Sequence, residues 1–154
     1  MNPPIGSQAH STVGLITRLA CAAACAIAVL ALVGWQLGLP GLASLVPGYR
    51  AMNPLTAVCL ILVSASLWIA RGSEPGAQAR WFALACASVV AGIGALMFIS
   101  LLTGIELSLD HVLFRTQLAV LPFSIQMGSH AAFAFVCVAL GLLTLDFRTP
   151  RGWR

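Results

Sequence analysis

A chain of 154 residues with 60% hydrophobic and 8% charged side chains, at a mean hydropathy of +0.97, is unlike soluble domains, in which about one residue in four is charged. Its net charge of +4 rests on eight arginines and no lysine, scattered among ends and connections, which argues against a basic nucleic-acid-binding face. Four apolar stretches, residues 13–37, 54–70, 81–102 and 130–145, each approach the ~20 residues that cross a bilayer. Lipid offers peptide groups no hydrogen bonds, so such stretches close their own as helices. The expectation is an all-α membrane protein with four transmembrane helices forming a bundle.

Residues 1–12 carry Pro, Gly and Ser and read as a flexible N-terminal arm, with His10 solvated. Span one follows. Its run Leu19-Ala20-Cys21-Ala22-Ala23-Ala24-Cys25 resembles a signal-peptide cleavage region, but the longest apolar run, residues 26–33, comes after the small residues rather than before them. The span is therefore expected to stay, with Trp35 as an interfacial anchor. Cys21 and Cys25 are one helical turn apart, yet two thiols without further ligands make an incomplete metal site, and all five cysteines read as small packing residues.

The first outer connection, residues 38–53, combines Pro and Gly turn makers with leucines and is expected to lie in the interface. Asn53-Pro54 then opens span two as an N-cap followed by proline at the first helical position. The inner loop, residues 71–80, is a plain polar connector. Span three follows, and the second outer connection, residues 103–129, alternates apolar and polar residues over the outer mouth. Span four is expected to begin at Gly128-Ser129-His130 with Ser129 as its cap, and residues 148–154 form a C-terminal tail.

Arginine placement sets orientation, because short loops rich in positive charge stay cytoplasmic. Arg18, Arg71, Arg80, Arg148, Arg151 and Arg154 fall on one side and Arg50 and Arg115 on the other. Six against two places both termini in the cytoplasm. Rows of small residues four apart, Ala20, Ala24 and Ala28 in span one and Ala83, Ala87, Ala91 and Ala95 in span three, predict that these two faces meet, since close backbone approach drives association in lipid. The same rows would also serve a homo-oligomer.

On the outer side, Glu106 and Asp110 are the carboxylates and Arg50 and Arg115 the cations, with His111 beside Asp110; this set is the candidate ligand-sensing or proton-sensing cluster. His130 near the outer end of span four reads first as an interfacial histidine, with axial ligation of a tetrapyrrole metal as the alternative. No phosphate loop, HExxH, GxSxG or Cys-x-x-Cys motif occurs. The expectation is a protein without catalysis.

The halves repeat weakly. Ala51-Met52-Asn53-Pro54-Leu55-Thr56-Ala57 aligns with Gln126-Met127-Gly128-Ser129-His130-Ala131-Ala132, in the order expected of a parallel two-fold repeat. With Gly34-Trp35, Leu45-Val46-Pro47-Gly48, Met52-Asn53-Pro54-Leu55-Thr56-Ala57 and the segment Gly104-Ile105-Glu106-Leu107-Ser108-Leu109-Asp110-His111-Val112-Leu113-Phe114, the chain resembles the N-terminal membrane region found ahead of PAS, histidine-kinase or diguanylate-cyclase modules in bacterial sensor proteins. Ser129 and Ala131 stand where that family has a proline and a threonine. The resemblance covers nearly the whole length and implies a sensory or anchoring module of the bacterial inner membrane, here without an output domain, that works through lipids and membrane or signalling proteins. The alternative is an accessory subunit of a larger respiratory or photosynthetic complex, contacting lipid, quinone or pigment.

Overall fold

The computed structural model describes residues 5–44, 51–72, 76–104 and 127–147. Those residues form α1 (Ile5–Gln36), α2 (Pro40–Ser44), α3 (Pro54–Ala70), α4 (Ala77–Thr103) and α5 (Ser129–Phe147), with no strand among them. Two helices are long and apolar enough to cross a membrane, through Thr12–Gln36 of α1 and all of α4, while α3 and α5 are shorter apolar helices. The arm expected over residues 1–12 is helical from Ile5 onward. Nothing between Ile5 and Thr12 breaks a helix after Pro3-Pro4, so the apolar run is extended by two polar turns.

Helix ends follow local chemistry closely. Asn53 caps α3, its side-chain oxygen accepting from the Leu55 amide at 2.7 Å and the Thr56 amide at 3.4 Å. Asn53→Ala removes both bonds at a buried cap and is expected to destabilise the protein by about 1–2 kcal/mol, read as a lower midpoint in an SDS titration followed by circular dichroism. α1 ends in a Schellman turn, where the Leu39 amide donates to the Gly34 carbonyl at 2.9 Å and the Gly38 amide to the Trp35 carbonyl at 3.4 Å. Gly38 takes φ +64° there, and Gly104 takes φ +67° at the end of α4, the left-handed conformation that favours glycine. For α5, the Ala132 amide donates to the Gly128 carbonyl at 3.0 Å, so Gly128 rather than Ser129 occupies the cap position.

The four long helices run up and down. Trp35 at the end of α1 bonds Met52 ahead of α3, and Arg18 near the other end of α1 lies over Trp68 near the end of α3, which makes α1 and α3 antiparallel. Ser66 of α3 donates to the Ala83 carbonyl of α4 at 3.0 Å. α4 and α5 pack most extensively, α3 touches α1, α4 and α5, and α1 packs on α3 and α2.

That order corrects the expected meeting of spans one and three. Ala28 and Ala31 pack on Ala57 of α3, whereas Ala20 is exposed. Ala83 and Ala87 are buried, and Ala91 lies against the cluster of Cys59, Val90, Met127, Ala132, Phe135 and Ala139, shared with α3 and α5. The reason is angular: a row spaced four residues apart drifts about 40° round the helix at each step. Burial instead follows a seven-residue seam, Cys21, Ala28 and Trp35 in α1 and Ala132, Phe135, Ala139 and Leu142 in α5, the spacing that keeps one face on a neighbour over several turns. Helix α3 carries two such seams, Ala57 and Ser64 on one and Cys59 and Ser66 on the other, because it is sandwiched.

Candidate functional site

The large apolar side chains of this fold are not confined to its interior. Small residues such as Ala28, Ala31, Ala57, Cys59, Ser64, Ser66, Cys86, Ala87, Gly94 and Ala132 are buried together with Trp35, Leu55, Val90, Met127, Phe135 and Leu142, while Leu15, Ile16, Leu19, Leu30, Phe82, Leu96, Leu102, Phe133 and Leu140 face outward. Of the most apolar eighteen residues of α1 only 17% are buried, and of those in α4 only 33%. A helix at the core of a soluble domain buries most of such a stretch. Outward-facing hydroxyls turn back on their own backbone: Thr17 to the Val13 carbonyl, Thr103 to the Ile99 carbonyl and Thr144 to the Gly141 carbonyl, each at 2.9 Å. That arrangement suits a surface without water.

One end of the molecule is held by Trp35. Its indole N–H donates to the Met52 carbonyl at 2.8 Å, and the ring is 6% exposed, so Trp35 is a buried clasp between α1 and the entry to α3 rather than an anchor turned toward the interface. Met127 is buried at the matching position before α5. The repeat read from the sequence is matched locally: the Ala57 amide donates to the Asn53 carbonyl at 3.1 Å as Ala132 donates to Gly128, and the two alanines are 0% and 1% exposed. His130 sits exposed on the first turn of α5. Phe98 and Phe133 stack with centroids 5.9 Å apart nearby in α4 and α5. Among the described residues no group of three or more His, Cys, Asp or Glu is placed to hold a metal ion. Arg50, Glu106, Asp110, His111 and Arg115, the proposed sensing cluster, lie outside the described residues.

The opposite end gathers cations and indoles. The Arg18 guanidinium lies 6.0 Å from the Trp68 ring centroid, within the range of a cation–π contact. Arg71 terminates α3, its amide donating to the Leu67 carbonyl at 3.1 Å, and is exposed. Trp81 and Phe82 on α4 are exposed at the same end, which the Ser66–Ala83 bond fixes beside the end of α3. The sequence shows Arg18 only as a charge for orientation; the partnership with Trp68 depends on α1 and α3 packing antiparallel and has no local signal. Gly94, where α4 comes closest to α5, is likewise passed over by the four-residue alanine row. No protein-family model, curated protein or solved structure matches the chain.

Proposed function

We propose that this chain is a four-span module of the bacterial inner membrane with both termini cytoplasmic, acting without catalysis as a sensory or anchoring unit through lipids and protein partners. The observation that carries the reading is the outward-facing apolar surface: large aliphatic and aromatic side chains cover the outside, and only 17% and 33% of the most apolar stretches of α1 and α4 are buried. In water that surface would be a large aggregation-prone patch; in lipid it is the solvated face. The 17 residues of α3 and 19 of α5 rise about 26 and 28 Å, close to the ~30 Å of hydrocarbon and within what modest bilayer thinning accommodates.

A module of this kind transmits through contacts between its helices and a neighbour's, and α1 is the helix best placed for that, since α3 and α2 are its main contacts and most of its apolar surface remains outside. The expected result is that the protein stays in the membrane pellet through an alkaline carbonate wash and leaves it only with detergent, and that a fluorescent protein fused to its C-terminus lights up in the cytoplasm. Release by carbonate would overturn the membrane reading, and a dark, exported fusion would overturn the orientation. Co-purification from native membranes tests the partner class: recovery with a kinase or cyclase supports the sensory reading, and stoichiometric recovery with a redox or light-harvesting complex replaces it with the subunit reading.

A further inference from the structure

Arg18 stands inside the apolar run Thr12–Gln36, flanked by Leu15, Ile16 and Leu19, all about three-fifths exposed. A guanidinium does not lose its charge in such a setting, so at the edge of a bilayer it reaches for the headgroup layer and for a counter-ion. Among the described residues, its contact is the indole face of Trp68. Arg71, three residues beyond Trp68, is the exposed C-cap of α3, so two exposed guanidiniums from antiparallel helices stand at the same end of the fold, one of them over the indole. The last carbonyls of α3 beside them are partly satisfied, Leu67 by the Arg71 amide and Ile69 by the Gly72 amide at 3.0 Å, which lessens their repulsion of an anion.

We propose that Arg18, Trp68 and Arg71 form a binding site for the phosphodiester headgroup of an anionic phospholipid, whose acyl chains run from Leu19 along Ile27 and the outward face of α1 toward the Trp35 end. Guanidiniums match phosphate oxygens in paired geometry, and an indole beside them gives the amphipathic edge that suits headgroup depth. A free phosphate ester shares that headgroup chemistry, but the exposed aliphatic residues leading away from Arg18 fit a lipid tail. The site rests on the membrane reading above and adds a specific ligand to it.

The test uses the full chain in nanodiscs of phosphatidylcholine alone or mixed with phosphatidylglycerol, counting the lipids that native mass spectrometry finds retained. Phosphatidylglycerol is expected to be retained in preference, and R18Q/R71Q to lower that retention about tenfold, with unchanged helical circular dichroism. R18K/R71K, which keeps the charge, is expected to restore most of it, whereas the charge-matched R148Q/R151Q leaves it at the wild-type level. No preference in the wild type overturns the site. Equal losses in R18Q/R71Q and R148Q/R151Q, or displacement of the lipid by excess inorganic phosphate, also overturn it. A chain that enters no nanodisc removes the membrane reading and this site together; entry without anionic preference removes this site alone.

Discussion

Gly94→Leu is expected to part α4 from α5 and abolish the native fold of that pair. A Cβ built at Gly94 meets Val136 Cγ2 at 3.0 Å, the Ala132 carbonyl oxygen at 3.1 Å and the Val136 amide nitrogen at 3.3 Å. Two of these atoms are backbone and the third belongs to a side chain stiff at χ1 in a helix, so no rotamer change relieves the clash. The helices must separate. Separation is costly in lipid, where close packing rather than water exclusion holds helices together, and this is the most extensive interface in the fold. Even Gly94→Ala is expected to cost about 1–3 kcal/mol. Gly92, two positions along, has nothing within 4 Å of a built Cβ, and Gly92→Ala should stay within about 1 kcal/mol of the wild type because it changes only helix propensity. SDS titration of both variants decides the matter; coincident midpoints would show that α4 and α5 do not approach at Gly94.

The second large effect is expected at Trp35. Trp35→Ala empties a buried aromatic site and orphans the Met52 carbonyl, which receives the indole N–H at 2.8 Å, for a loss of about 3–5 kcal/mol. Trp35→Phe keeps most of the ring and removes the bond alone, at about 1–3 kcal/mol if the carbonyl is left unpaired. The ordering of wild type, phenylalanine and alanine in the same titration measures the clasp. A phenylalanine variant as stable as the wild type would mean that the bond contributes nothing and that Trp35 acts by filling space. Because Met52 immediately precedes the α3 cap at Asn53, a Trp35→Phe/Asn53→Ala double variant should show non-additive losses, whereas Trp35→Phe combined with Gly94→Ala, on separate interfaces, should add.

Some of this was legible in the chain because the signals are local. Asn53-Pro54 marks the start of α3 through a side-chain cap and a residue that needs no amide partner, both decided within four residues. Gly38, which opens the first connection, marks the end of α1 for the same reason. The burial of Trp35 has no local signal, because an indole near the end of an apolar stretch suits an interface and a buried clasp equally well; which one depends on whether Met52 folds back beside it. Neither the Arg18–Trp68 pairing nor the Gly94 approach leaves a mark in its own helix, since each belongs to two segments distant in sequence.

Composition and hydrophobic run length by themselves determined that the described residues are helical and that the longest apolar stretches lie in α1 and α4, because backbone groups surrounded by apolar side chains are satisfied only by helices. Tertiary structure alone decided which faces meet. The helices are apolar on nearly every side, so hydrophobicity does not distinguish a buried stripe from an outward one; the choice falls to side-chain size at seven-residue spacing and to the backbone approach at Gly94. Those put α3 at the centre and α1 at the edge, where the alanine rows had placed spans one and three face to face.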